Sequence, residues 1–177
     1  RGIEVQIRDI ETDEILGPDQ SGEILVRGYC LFEGYYKDPE KNELAFTEDG
    51  WFRTGDICSL DVEGRVTYKS RLKDMLKVGG ENVAAAEIEG LLSGHPEVVL
   101  AQVVSAPDEK YMEVPAAYIQ LADGADVSED QITEYCKGKI ASFKIPHHVR
   151  FITEWPMSAT KIQKVRLREM IAEELET

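Results

Sequence analysis

The sequence predicts an α+β protein: a strand-rich first segment over residues 1–71, followed by a mixed α/β lobe over 72–177. Three observations predict it. Short alternating or β-branched runs punctuated by glycine fill the first seventy residues. From about residue 72 helical periodicity and apolar strand-like runs take turns. No apolar run approaches the roughly 20 residues that cross a bilayer.

Within the first segment, Glu4 to Arg8, Glu23 to Arg27 and Gly64 to Lys69 read as strands. Gly17-Pro18, Ser21-Gly22, Gly34 and Asp49-Gly50 read as the turns between them. Pro39 to Ala45 is the one stretch with a helical hint. A small distorted sheet or half-barrel is expected, too small to make a convincing core alone. The chain has no initiator Met and opens directly on Ile3, Val5 and Ile7, so it is expected to be part of a longer protein.

In the second segment, Ala84 to Gly94 carries Ala84, Ile88, Leu91 and Leu92 on one face, with Gly94 placed to cap the helix and Pro96 to block its continuation. Val98 to Ala106 and Val114 to Leu121 are apolar runs separated by Pro107-Asp108-Glu109-Lys110, and are expected to pair. Ser128 with Gln131 three residues on forms a capping-box signature, opening a helix with Ile132, Tyr135, Cys136 and Ile140 inward. His148 to Ile152 reads as a short strand after Pro146. Val165 to Leu175 reads as a final helix with Leu167, Met170, Ile171 and Leu175 inward.

Composition narrows the function. A net charge of −14 argues against nucleic acid, which needs a broad basic face. Yet thirteen of the twenty lysines and arginines fall within 61–80 and 137–168, so cations can still converge on a small anion. Cys30, Cys58 and Cys136 are widely spaced, and His95 and His147-His148 lack ligand spacing, so no metal site is expected and a reducing, cytoplasmic location is.

The best lead to chemistry is Trp155-Pro156-Met157-Ser158-Ala159-Thr160-Lys161-Ile162-Gln163-Lys164. Pro156 fixes a backbone dihedral, the hydroxyl residues favour turns, and Ile162 would anchor the loop while the flanking ammonium groups point outward. Solvated surface lysines are the plainer reading of the same pair. Asp56, at the end of Arg53-Thr54-Gly55-Asp56, reads as a carboxylate on a tight glycine turn, able to accept hydrogen bonds from neighbouring hydroxyls.

Four segments occur in order: SGEILVRGYCLFEGYY at 21–36, GWFRTGDI at 50–57, GRVTYKSRLKDMLKVGGENVAAAEIE at 64–89 and PMSATKIQK at 156–164. Together they resemble the adenylate-forming superfamily, and within it an acyl-CoA synthetase of the fatty-acid ligase type, over nearly the whole chain. The resemblance implies the strand-rich end of a large adenylation domain (1–71) followed by a small mobile lid domain (72–177). It implies ATP, Mg²⁺ and coenzyme A as cofactors of the full-length parent, with the missing N-terminal domain and a small carboxylic acid as partners. Asp56 would take the family's ribose-binding role, and Arg71, a fixed-charge planar fork, would lie at the ATP site. Lys73 would be the hinge, Gly79-Gly80 would line the pantetheine tunnel, and Lys161 would be the catalytic lysine, with Lys164 a more structural companion. Thr160 stands where the family commonly has glycine, and the spacing from Pro156 to the lysine is one residue shorter. Lys137 and Lys144 are candidates for coenzyme A phosphates. A non-catalytic lid or interaction module, and a peptide-synthetase or luciferase-like enzyme, are the alternatives.

Overall fold

The computed structural model describes residues 2–176. Two compact units divide between Lys73 and Asp74, two residues beyond the boundary drawn from sequence. The α+β class is as expected.

The first unit is an antiparallel meander of four strands, β1 (Ile3–Arg8), β2 (Ser21–Gly28), β3 (Phe52–Leu60) and β4 (Val66–Arg71), in that spatial order. Ile7, Ile24 and Cys58 are buried against Leu16 and Leu60. The helix α1 (Pro39–Ala45) forms where the sequence hinted, because Pro39 suits a first helical turn and Asp38 accepts a hydrogen bond from the Lys41 amide. β3 was not expected as a strand. It is interrupted: Leu25 pairs with Arg53 and Glu23 with Ile57, so four steps along β3 match two along β2. The excess is a bulge at Thr54-Gly55-Asp56, with Gly55 at φ +70°. Asp56 therefore sits on a bulged strand, and the expected tight turn is absent.

The second unit is a sheet covered by helices on both faces. β5 (Met75–Val78), β6 (Glu81–Ala84), β7 (Val98–Asp108) and β8 (Met112–Leu121) lie in the order β6-β5-β8-β7, and β9 (His148–Phe151) runs parallel to β8. Consecutive residues of β7 and β8 point to opposite faces. Val103, Ala117 and Ile119 pack with α2 (Ala85–Leu92) and α3 (Glu129–Cys136) through Ile88, Leu92 and Ile132. Val104, Ala116 and Tyr118 pack with α4 (Lys164–Leu175) through Leu167 and Ile171. Burial on both sides explains why β8 reads as a continuous apolar run.

Ser128 and Gln131 form the reciprocal capping box. Other details differ. α2 ends at Leu92, and Gly94 does not cap it in a left-handed conformation; its amide donates to the Leu91 carbonyl in a final tight turn. Ile140 lies beyond α3, though it still packs on the core. Met170 and Leu175 are 44% and 40% exposed, so the inward stripe of α4 is narrower than the pattern suggested. The segment before α2 is a β5–β6 hairpin. Gly79-Gly80 is its two-residue turn.

Candidate functional site

In the first unit, Asp56 and Arg71 are directly paired residues of β3 and β4. Arg71 Nε lies 2.9 Å from Asp56 Oδ1, and its Nη1 donates to the Thr54 carbonyl at 3.1 Å. The Thr54 hydroxyl donates to the Ile24 carbonyl at 2.7 Å and accepts from the Asp56 amide at 3.0 Å. The bulge is further pinned by Glu23, which is 5% exposed. Its Oε1 accepts from the Gly55 amide at 2.9 Å and its Oε2 from Arg53 at 3.0 Å. In the sequence Glu23 stands out only as part of a strand. Its available signal was a carboxylate among apolar neighbours, in Gly22-Glu23-Ile24-Leu25. Asp56 Oδ1 is buried and accepts no hydrogen bond, although Arg71 Nε lies beside it.

In the second unit, the Gly79-Gly80 turn has φ +58° and +92°. Such a turn favours glycine or asparagine by itself. The Gly79 amide donates to the Tyr111 carbonyl at 3.0 Å, while nothing lies within 4 Å of where a Gly80 side chain would project.

The lysine loop is a braced miniature hairpin. Met157 bridges to Ile162, the Ser158 amide and hydroxyl donate to the Lys161 carbonyl at 2.8 and 3.1 Å, and the Gln163 amide donates to the Pro156 carbonyl at 2.8 Å. Ile162 and Trp155 pack on the core beside α4, as the anchoring role of Ile162 requires. No residue from 156 to 163 has a left-handed backbone, so Thr160 is accommodated without strain. Lys161 is exposed, and its ammonium has no ion-pair partner among the described residues. Lys164 is the opposite: 17% exposed, its Nζ lies 2.7 Å from Glu89 Oε1 and 3.9 Å from Asp74 Oδ2.

The other candidate cations are taken. Lys137 pairs with Glu134 at 2.5 Å and Lys144 with Glu87 at 2.7 Å, which weakens the case for either on a phosphate. Among the described residues no three His, Cys, Asp or Glu side chains converge to hold a metal. A groove of about 460 Å³ involving Tyr118, Arg150, Phe151, Met170 and Glu174 contains none of the expected site residues. No helix among the described residues is long and apolar enough to cross a membrane.

Residues 87–161 match the family model of the AMP-binding enzyme C-terminal domain. The chain is 46% identical over 171 residues to YngI of Bacillus subtilis, covering 96% of this chain and 31% of that protein. It is 41% identical over 173 residues to the mitochondrial medium-chain acyl-CoA ligase ACSF2 of Danio rerio, covering 97% of this chain and 28% of that one. The ATP-bound crystal structure of MatB from Rhodopseudomonas palustris superposes with TM-score 0.90 at 34% identity, covering 96% of this chain and 34% of that chain. The chain belongs to the adenylate-forming, AMP-binding enzymes, and corresponds to the C-terminal portion of their acyl-CoA synthetase members. It spans about a third of the length of the curated relatives it matches.

Proposed function

We propose that the whole protein is an ATP-dependent acid–thiol ligase and that this chain supplies its lid and part of its nucleotide site. A carboxylate oxygen attacks the α-phosphorus of ATP, the bond to the β-phosphate oxygen breaks, and pyrophosphate leaves an acyl-adenylate. The thiolate of coenzyme A then attacks the acyl carbon and AMP departs. In the first step two anions must meet. An ammonium aimed at both lowers their repulsion most in the transition state, and Lys161 is the group for it. Asp56 binds the ribose, Arg71 the phosphate side of the nucleotide, Lys73 is the hinge, and the Gly79-Gly80 turn lies along the pantetheine in the second step.

The observation that carries this reading is the contrast between two neighbouring lysines: Lys164, at the start of α4, is bound to Glu89, while Lys161 stands exposed three residues earlier on a braced hairpin. A fatty acid of medium length is the first substrate to try, on the strength of the ligase relatives' names. Three free thiols fit a reducing compartment such as the cytoplasm.

The test uses the whole protein with Lys161→Ala. Pyrophosphate release with ATP and fatty acids should fall by about a hundredfold or more, and thioester formation from preformed acyl-adenylate should persist. Equal pyrophosphate release in the variant would remove Lys161 from the mechanism and favour a non-catalytic role for this portion.

A further inference from the structure

We propose that Glu89 is a positioning residue for Lys161, acting through Lys164. The inference rests on the assignment of Lys161 to acyl-adenylate formation. Glu89 stands on α2 beside β7, an edge strand whose outward amides lack a ladder partner. Val103 is fully buried on that strand, and its amide donates to Glu89 Oε1 at 2.8 Å. An unpaired amide there would be costly, so the carboxylate is seated by the sheet itself. The same oxygen receives Lys164 Nζ at 2.7 Å.

Lys164 occupies a position that helix chemistry disfavours. It is the first residue of α4, a helix with no acidic residue in its first turn and no side-chain cap from Gln163. A cation at a helix N-terminus opposes the macrodipole. Glu89, with Asp74 farther off at 3.9 Å, supplies the compensating charge. Asp74 also meets Arg168 at 3.3 Å, so the carboxylate that opens the second unit is tied to two cations of α4. The hairpin bearing Lys161 closes through Gln163, immediately before Lys164. Fixing Lys164 therefore fixes the point where that hairpin leaves α4. Conflict between a residue and its local position, resolved by a half-buried partner, is what a functional constraint leaves behind.

The test is Glu89→Gln in the whole protein. The amide oxygen still accepts from Val103 and only the charge is lost. Pyrophosphate release should fall by on the order of tenfold, with the KM for ATP nearly constant, because a misplaced catalytic group costs rate and not ground-state binding. Thioester formation from preformed acyl-adenylate should stay within about twofold of wild type. Added to Lys161→Ala, Glu89→Gln should cause no further loss, since residues acting as a unit are not additive. Lys164→Gln together with Glu89→Gln should recover part of the rate by replacing the ion pair with an amide pair. If Glu89→Gln does not fold, Glu89→Asp retracts the same charge and takes its place in each assay. A parallel fall in both half-reactions, tracking a lower melting temperature, overturns the proposal, as does a further loss in the double variant. Unchanged pyrophosphate release in Lys161→Ala alone overturns the catalytic assignment and this inference with it. A normal rate in Glu89→Gln beside a defective Lys161→Ala overturns the inference only.

Discussion

Arg71 and Asp56 face each other across β4 and β3 with Nε 2.9 Å from Oδ1, yet they meet as charges without forming a hydrogen bond. The guanidinium spends a directed bond on the Thr54 carbonyl instead. The carboxylate is thus oriented by its strand and its neighbour but keeps acceptor capacity. Asp56→Asn preserves the shape and turns one acceptor into a donor. In the whole protein it should lower kcat/KM for ATP by about tenfold to a hundredfold, the range for a hydrogen bond to a charged group. Discrimination between ATP and its 2′- and 3′-deoxy analogues should shrink with it. Undiminished discrimination would show that Asp56 does not bind the ribose.

Glu23 holds the bulge that presents Asp56, and its two oxygens serve two different donors. Glu23→Ala should destabilise the first unit by about 2–4 kcal/mol, because a buried amide and an arginine lose their acceptor together. Arg53 keeps Asp13 at 2.6 Å, which limits the loss to the lower part of that range. Urea unfolding followed by Trp51 fluorescence in a Trp155→Phe background would measure it. A change below about 0.5 kcal/mol would mean that Glu23 is not the support.

What the sequence made legible were elements whose information is local. The Ser128–Gln131 box and the apolar run of β8 each lie within one short window of residues. β3 escaped because the bulge at Gly55 breaks its alternation, and β6 because Val83 is its one buried residue. The candidate site divides the same way. Asp56, Arg71 and Lys161 were visible through resemblance, while the supports under them were not. Glu23 meets Gly55, and Glu89 meets Lys164, only because separate elements pack together.

The Gly79-Gly80 turn separates a backbone requirement from a ligand requirement. Val78 and Glu81 pair directly across the turn, and both glycines carry positive φ. Alanine at either should cost about 1 kcal/mol through strain. Gly79→Ala should cost more, because its methyl group would meet the Tyr111 ring at 3.1 Å, whereas Gly80 opens onto free space. Gly80→Asn, which tolerates such a backbone, should keep the fold and still place a side chain where pantetheine is proposed to run. The expected result is slower thioester formation with pyrophosphate release little changed. Equal rates in both half-reactions would leave the turn with a purely conformational role.

Acid should destabilise the second unit in two stages. Burial pushes the His148 imidazole below its ordinary value of 6.5, helped by the charge of Arg150 and by His147, with Glu174 and Asp108 opposing. Between the folded and unfolded values the unfolded chain binds more protons, so stability rises with pH there. The contribution of His148 is complete above about pH 6.5 and is lost as pH falls through the folded value. Glu174 titrates later: its hydrogen bonds from Arg150 hold its carboxyl below the ordinary 4.5, so its contribution is present above that value and lost further into acid. Thermal unfolding followed by Trp155 in a Trp51→Phe background should therefore show a melting temperature that drops between pH 7.5 and 5.5. His148→Asn should flatten that first stage and leave the loss below pH 4.5 in place. A melting temperature that rises between pH 7.5 and 5.5 would reverse the assigned sign, and with it the claim that the fold prefers His148 neutral.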